Sequence, residues 1–155
     1  MSKLKPGDKA PAFMAKDQNG EIHTLKEFKG KKLALYFYPR DLTPGCTAEA
    51  CSLRDNFSLL KRKGIAIVGV SADDEKSHRR FSEKNHLPFP LLADPEREIV
   101  NDYGVWGLKK FMGREFMGIL RTTFLINEKG VVEHIIEKVV TKDHARQILD
   151  TWNDK

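Results

Sequence analysis

Short apolar runs alternate along this chain with polar or amphipathic segments, a pattern typical of α/β proteins. The runs Leu33–Tyr38 and Ile65–Ser71 are almost wholly apolar, which predicts two strands buried on both faces of a sheet. Two shorter strands are predicted at IHTL, residues 22–25, and at FPLLAD, residues 89–94. These four segments are the strands predicted in the first half of the chain.

The second half of the chain completes the sheet and adds helices around it. Strands Arg121–Asn127 and Val131–Glu137 flank the turn sequence EKG and predict a β-hairpin. Further helices are predicted at Asp73–His86, Pro95–Tyr103 and Asp143–Trp152. We therefore expect one domain over residues 1–155, with a mixed central sheet flanked by helices in the order of a thioredoxin-like fold.

The segment after the first buried strand has the form of a helix start. Thr43 is placed to be the N-cap, and Pro44 occupies the first helical position. Small or apolar side chains then recur at helical spacing, at Ala50, Leu53, Phe57 and Leu60. The pattern predicts one continuous helix that ends at Gly64.

Composition and charge narrow the class of protein. The 155 residues are 40% hydrophobic and 32% charged, with a net charge of +5 spread along the chain. The densest basic run, KGKK at residues 29–32, reads as a solvated turn, so no nucleic-acid partner is expected. Because the N-terminus lacks an apolar signal region and no window approaches the roughly 18 apolar residues of a membrane span, we expect a cytoplasmic protein without a membrane partner.

The only two cysteines are Cys46 and Cys51. Cys46 would be the third residue of the predicted helix, where unpaired backbone N–H groups and the helix dipole stabilise a thiolate. On a continuous helix, five residues give about 7.5 Å of rise and a Cα separation of roughly 8.7 Å. A disulfide needs less than about 7 Å, so the two sulfurs can join only if the start of the helix unwinds.

The two thiols also have other possible uses. The five histidines are scattered and give no metal-ligand spacing with the cysteines, so no metal and no cofactor are expected. Cys51 alone also fits a small buried helix residue without chemistry. For the four apolar residues Phe111, Met112, Phe116 and Met117, ordinary core packing is favoured over the lining of an apolar mouth or a contact with another protein.

The surrounding motifs resemble one family of thiol enzymes. YPRDLTPGCT resembles the peroxiredoxin signature, with its proline, threonine and cysteine at Pro39, Thr43 and Cys46. AEACSLRDNF, GDKAPAF and YGVWGLKKFMGREFMGILRTTFLIN resemble the bacterioferritin comigratory protein branch, also called peroxiredoxin Q. The chain departs from that branch at Phe116, where tyrosine is common, and at Asn127, where aspartate is common.

The resemblance implies a thioredoxin-like fold and thiol-dependent reduction of hydrogen peroxide and organic hydroperoxides. It implies that Cys46 is the peroxidatic cysteine and Cys51 the resolving one. The resulting disulfide would be recycled by thioredoxin or a similar dithiol protein. Arg121 would stabilise the thiolate and the leaving oxygen, Thr43 would orient the peroxide, and Pro39 would shield the sulfur.

Three alternatives stay open at this level. A general thiol–disulfide oxidoreductase of the same fold is the nearest one, although such enzymes usually carry Cys-x-x-Cys. A one-cysteine peroxidase would leave Cys51 idle, and a non-catalytic interaction domain would leave both thiols idle. Because no third cysteine lies near the C-terminus, an intersubunit disulfide is unnecessary, and we expect a monomer.

Overall fold

The computed structural model describes residues 4–152. Within them the strands in chain order are β1 (Met14–Lys16), β2 (Ile22–Thr24), β3 (Lys32–Phe37), β4 (Ile65–Ser71), β5 (Leu91–Ala93), β6 (Trp106–Phe111), β7 (Arg114–Ile119), β8 (Thr122–Ile126) and β9 (Val132–Ile136). The helices are α1 (Pro44–Asp55), α2 (Phe57–Arg62), α3 (Glu75–Asn85), α4 (Glu98–Asp102) and α5 (His144–Trp152). No helix among the described residues has the length and apolar character needed to cross a bilayer.

A mixed five-stranded sheet forms the centre, in the spatial order β5-β4-β3-β8-β9. The middle strand β3 runs parallel to β4 and antiparallel to β8. Strand β5 continues the parallel half, and β9 pairs antiparallel with β8. The predicted mixed sheet and the predicted C-terminal hairpin are both confirmed.

Side chains from both faces of β3 enter separate apolar cores, because successive residues of a strand point to opposite faces. Tyr36 lies in the core that Leu53 of α1 and Trp152 of α5 also fill. Phe37 lies in the opposite core, together with Val100 of α4. The predicted burial of this strand on both faces is therefore confirmed, and the carboxyl end of β3 is held rigidly where the loop to α1 begins.

The predicted continuous helix from residue 43 to residue 64 is wrong in its middle. It breaks at Asn56, whose backbone has φ −112° and ψ 14°. The Asn56 side-chain amide donates to the carbonyl of Ser52 at 2.8 Å, so it competes with the backbone for a helical acceptor. The apolar spacing continues across the break, which is why the pattern alone could not reveal it.

The predicted core packing of residues 111–117 is also wrong. Phe111 is 67% exposed and Met112 is 86% exposed, because β6 and β7 form a separate hairpin outside the central sheet. Its two-residue loop is Met112–Gly113, and both residues have positive φ, at 52° and 78°. Met-Gly lacks the usual Asn-Gly signal of such a turn, and the hairpin was not predicted.

We predict that replacing Leu53 with alanine lowers the free energy of unfolding by about 2–5 kcal/mol, because Leu53 is fully buried on the inner face of α1 and its removal leaves a cavity. Urea unfolding of the reduced protein measures the loss. Leu108→Ala is the matched control, since Leu108 is 56% exposed and should change stability by less than about 1 kcal/mol. Equal losses in the two variants would contradict this placement of α1.

Candidate active site

Cys46 is the third residue of α1, as predicted, and is only 1% exposed. The buried strand β3 ends at Phe37, and a short loop leads to Pro44 at the first helical position. The thiol therefore sits in the first turn of a helix whose start is fixed by a rigid strand. Both cysteines are free thiols in this structure.

Arg121 brings a cation directly to this thiol from the segment between β7 and β8. Its Nη2 lies 3.4 Å from Cys46 Sγ, and its Nη1 donates to Glu49 Oε1 at 2.6 Å. A Cβ on Gly45 would lie 3.2 Å from the same Nη2, so the glycine leaves room for the guanidinium. The structure therefore brings Arg121 into contact with Cys46, although the two residues are 75 positions apart in sequence.

Burial alone would lower the pKa of Arg121, but neighbouring Cys46 and Glu49 outweigh it and raise that pKa above its ordinary value. Lys109 of β6 adds a second positive charge nearby. Burial and repulsion from Arg121 lower the pKa of Lys109, whereas Cys46 raises it. Two cationic side chains, Arg121 and Lys109, thus interact electrostatically with the Cys46 side chain.

Glu49 is a site residue that was not predicted. It follows Cys46 by three positions and is fully buried on the same face of α1, together with Leu53. A carboxylate inside an apolar helical stripe is rarely buried without a partner, so the sequence did contain a signal for it. The partner that explains it is Arg121, 72 residues away.

The second oxygen of Glu49, Oε2, has no hydrogen-bond partner among the described residues. It faces Nε2 of His144 at 3.5 Å, but this contact is not an ion pair, because burial lowers the pKa of His144 to about 4. Gln147 Oε1 accepts from His144 Nδ1 at 2.9 Å, and the Thr123 hydroxyl donates to His144 Nε2 at 2.7 Å. Burial raises the pKa of Glu49 to about 7, although Arg121 opposes that rise.

A second buried network fixes the loop between β3 and α1. Asp41 accepts from the Tyr38 hydroxyl at 2.6 Å, from Ser77 at 2.8 Å and from His78 Nδ1 at 2.7 Å. His78 Nε2 also donates to the carbonyl of Leu92 at 2.9 Å, so both ring nitrogens act as donors and the ring is an imidazolium. Burial alone would lower the pKa of His78, but Asp41 raises it above its ordinary value.

Two groups of side chains bring potential metal-ligand atoms within 4.8 Å of one another, namely Asp17–Glu21–His23 and Asp41–Asp73–His78. Both groups already have protein partners. His23 lies 2.7 Å from Asp17, and Asp73 accepts from the backbone N–H of Asp41 at 2.8 Å. These hydrogen bonds explain why the side chains of each group lie close together.

Thr43 is the N-cap residue of α1, but its hydroxyl does not cap the helix. It donates instead to the carbonyl of Arg40 at 2.9 Å, which leaves its oxygen lone pairs available as acceptors. Thr43 and Pro39 line one wall of a cleft of about 710 Å³, and the β6–β7 hairpin lines the other. The cleft opens the active-site loop to solvent.

Cys51 lies on the same continuous helix as Cys46 and is half-buried. Its sulfur is 3.8 Å from Asn85 Oδ1 at the end of α3, and Arg54 Nη1 donates to the Asn85 carbonyl at 2.8 Å. The structure therefore does not bring the two thiols together. Joining them requires the first turns of α1 to unwind, as the helical geometry predicted.

Comparison with known proteins gives a consistent result over nearly the whole chain. Residues 6–135 match the AhpC/TSA family model. Peroxiredoxin Bcp of Bacillus subtilis is 45% identical over 151 residues, covering 97% of this chain and 96% of that protein. Peroxiredoxin Bcp of Escherichia coli is 43% identical over 150 residues, covering 97% of this chain and 96% of that protein.

Solved structures agree with the sequence relatives. The bacterioferritin comigratory protein of Xanthomonas campestris, described by its alkyl peroxide reduction activity, is 33% identical with a TM-score of 0.85, over 91% of this chain and 90% of that one. Peroxidoxin BcpB of Mycobacterium tuberculosis is 31% identical with a TM-score of 0.85, over 97% of both chains. The predicted thioredoxin-like fold is confirmed by these similarities.

The raised pKa of Glu49 predicts a specific pH dependence of stability. An acid whose pKa is higher in the folded protein stabilises the fold fully below its unfolded value of 4.5, and this stability is lost as the pH rises through about 7. Relative to Glu49→Gln, the wild type should therefore lose about 3 kcal/mol between pH 4.5 and pH 8. Urea unfolding of the reduced proteins at several pH values measures the difference.

Glu115→Gln is the control for that series, because the Glu115 side chain is 58% exposed and its removal should leave the pH dependence unchanged. A difference between wild type and Glu49→Gln that stays constant across this pH range would show that Glu49 is ionised throughout.

Proposed function

Because this chain belongs to the AhpC/TSA family of peroxiredoxins and is a thiol peroxidase, we propose that Cys46 is the residue that attacks the peroxide. The observation that carries the proposal is the 3.4 Å contact between Arg121 Nη2 and Cys46 Sγ. A guanidinium is permanently cationic and donates in a planar fork, so it favours the thiolate over the neutral thiol. Cys51 has no such neighbour in the contacts described above.

The proposed first step is a displacement at oxygen. The Cys46 thiolate attacks one oxygen of ROOH, an S–O bond forms, and the O–O bond breaks. Sulfur supplies both electrons, Cys46 becomes a sulfenic acid, and the leaving alkoxide or hydroxide takes a proton to give an alcohol or water. The substrates are hydrogen peroxide and organic hydroperoxides, and neither a metal nor a cofactor takes part in this step.

Arg121, Thr43 and Pro39 have distinct proposed roles. Arg121 stabilises the negative charge that moves from sulfur to the leaving oxygen. Since the Thr43 hydroxyl already donates to Arg40, its oxygen can accept the peroxide O–H and align the O–O bond with the sulfur. Pro39 forms an apolar part of the cleft wall and limits the access of water to the sulfenic acid.

Glu49 acts on this chemistry through Arg121 and touches no reacting atom. Its carboxyl accepts from Nη1 at 2.6 Å and so holds the guanidinium plane, which leaves Nη2 directed at the sulfur. When Glu49 is neutral, the Cys46 thiolate is the only one of these two neighbours that carries a negative charge to pair with Arg121. When Glu49 ionises, two anions compete for one cation.

Cys51 is the proposed resolving residue. After the first turns of α1 unwind, the Cys51 thiol attacks the sulfenic sulfur of Cys46, a disulfide forms, and water leaves. Thioredoxin or a similar dithiol protein then restores both thiols. A one-cysteine cycle with Cys51 idle, and a general thiol–disulfide oxidoreductase, are the alternatives that the experiment below separates.

We predict the fate of one equivalent of hydrogen peroxide, added to reduced protein and followed by peroxide loss and intact mass. Wild type should lose two hydrogens as an intramolecular disulfide forms. Cys51→Ser should gain one oxygen at Cys46, and Cys46→Ser should leave the peroxide unconsumed. Sulfenic acid in wild type without a disulfide would indicate the one-cysteine cycle, and inert wild-type protein would overturn the assignment of Cys46.

We also predict that Arg121→Lys lowers kcat/KM for peroxide by roughly 10²–10³, because a single ammonium cannot donate to Cys46 and Glu49 in the geometry of the fork. Steady-state consumption of peroxide with dithiothreitol as reductant measures the change. Arg114→Lys is the matched control, since Arg114 lies at the exposed start of β7. A loss of less than about threefold for Arg121→Lys would contradict the proposed role.

A further inference from the structure

The β6–β7 hairpin carries most of the exposed apolar surface of the described chain. Nine large apolar side chains are exposed among residues 4–152, and five of them lie on this hairpin. They are Leu108 (56% exposed), Phe111 (67%), Met112 (86%), Phe116 (45%) and Met117 (52%). Isolated exposed apolar residues are ordinary, but a contiguous group of this kind marks an interaction surface.

The apolar residues occupy both faces of the hairpin. Leu108 pairs with Met117 on one face, and Lys109 pairs with Phe116 on the other. The hairpin forms its own two-stranded sheet and pairs with no other strand among the described residues. A two-stranded sheet is only marginally stable alone. The exposed apolar side chains of this hairpin therefore do not form a stabilising core on its outer face.

The turn of the hairpin places its most exposed residue under backbone strain. Met112 has a φ of 52° and is 86% exposed. Glycine, asparagine or aspartate would occupy this turn position with less strain, and Met112 gains no burial in return. A polarizable, flexible methionine at such a tip is suited to contact with a protein surface.

The same hairpin borders the cleft that Pro39 and Thr43 of the active-site loop also line. Phe111 and Phe116 line the cleft opposite Pro39 and Thr43. Leu108 and Met112 do not line it, so a small peroxide in the cleft does not account for their exposure. The apolar surface therefore extends from the mouth of the cleft outward, over an area that only a larger partner can cover.

We propose that this hairpin is the docking surface for the dithiol protein that reduces the enzyme. The inference rests on the proposed function, in which such a protein must reach the Cys46–Cys51 disulfide on every cycle. Its partner surface would be apolar around its own cysteine pair and bordered by acidic residues. The acidic border follows from the hairpin charges, since Lys109, Lys110 and Arg114 outnumber the single acid Glu115.

The redox step at this surface is a thiol–disulfide exchange. A thiolate of the partner attacks one sulfur of the Cys46–Cys51 disulfide, and a mixed disulfide forms. The second thiol of the partner then displaces the enzyme sulfur, so two thiols are restored here and the partner leaves oxidised. Both electrons come from the partner's cysteine pair.

Two other occupants of the hairpin are disfavoured on separate grounds. A symmetric contact between two copies would bring the basic hairpins together, which like-charge repulsion disfavours. An anionic lipid surface would match the charge, but the reaction does not require a membrane at this face on each cycle. The reductant is the one macromolecule that the proposed cycle itself brings to the cleft.

The test uses the double variant Leu108→Ser and Met112→Ser, which leaves the cleft lining intact. The probe is a bacterial thioredoxin kept reduced by its reductase, and dithiothreitol replaces it in a parallel assay. We expect the KM for thioredoxin to rise about tenfold or more, whereas dithiothreitol-supported turnover stays within about twofold of wild type. The matched control is Met14→Ser with Ile22→Ser on the other exposed hairpin, β1–β2, where 71% and 58% of these residues are exposed.

The assay separates failure of the docking proposal from failure of the proposed function. If wild type consumes no peroxide even with dithiothreitol, the proposed function fails, and the docking proposal fails with it. If wild type works with dithiothreitol but the thioredoxin KM is unchanged in the hairpin variant, or wild type gains nothing from thioredoxin, the docking surface is overturned. Equal losses of activity with both reductants also overturn the docking surface. So does an unchanged KM for thioredoxin in a hairpin variant that has lost self-association or binding to anionic lipid vesicles.

Discussion

In the proposed function, the chemistry depends on one contact, the fork of Arg121 between Cys46 and Glu49. One nitrogen lies 3.4 Å from the sulfur and the other donates to the carboxyl at 2.6 Å. The arginine precedes β8 and the other two residues lie on α1, so the central sheet must be assembled before the three groups meet. The fold therefore has one essential function at this site, which is to hold a cation against a thiol in a place with little water.

Two buried polar networks make that contact rigid. The Asp41–His78 pair fixes the loop that leads into α1, and it does so through hydrogen bonds from α3 and to β5. On the other side, Glu49 of α1 accepts from Arg121, and His144 of α5, held neutral by burial, accepts from the Thr123 hydroxyl of β8. Cys51 takes part in neither network. In the proposed cycle, the start of α1 unwinds before Cys51 reaches Cys46. Rigidity at the point of attack and a removable helical turn are thus combined in one element.

Local patterns in the sequence were enough to predict much of this arrangement. The strands β3 and β4 follow from apolar runs, and the position of Cys46 follows from Thr43 and Pro44 at the start of a helix. The family resemblance added Arg121, which no local pattern identifies. Glu49 was overlooked, although a charged residue in an apolar helical stripe is a signal that sequence alone contains.

Other features depend on contacts that sequence spacing does not encode. The break at Asn56 comes from a side chain bonding to the backbone, and the apolar period continues through it. The partnership of Asp41 with His78 joins residues 37 positions apart. The β6–β7 hairpin turns on Met-Gly, a pair without the usual turn signal, and its apolar residues imitate a core segment. Long-range pairing and uncommon turn chemistry therefore set the limit of the prediction.

The most direct test of the central claim is the single-turnover rate of Cys46 with hydrogen peroxide, measured by stopped flow on folded Cys51→Ser protein. The same chain unfolded in urea supplies the reference, because it carries the same thiol without Arg121 at its side. We predict that the folded protein reacts at least about a thousandfold faster, since preorganised donors of this kind contribute roughly 10²–10³ each. A folded rate within about tenfold of the unfolded one would show that the arginine contact does not activate the thiol.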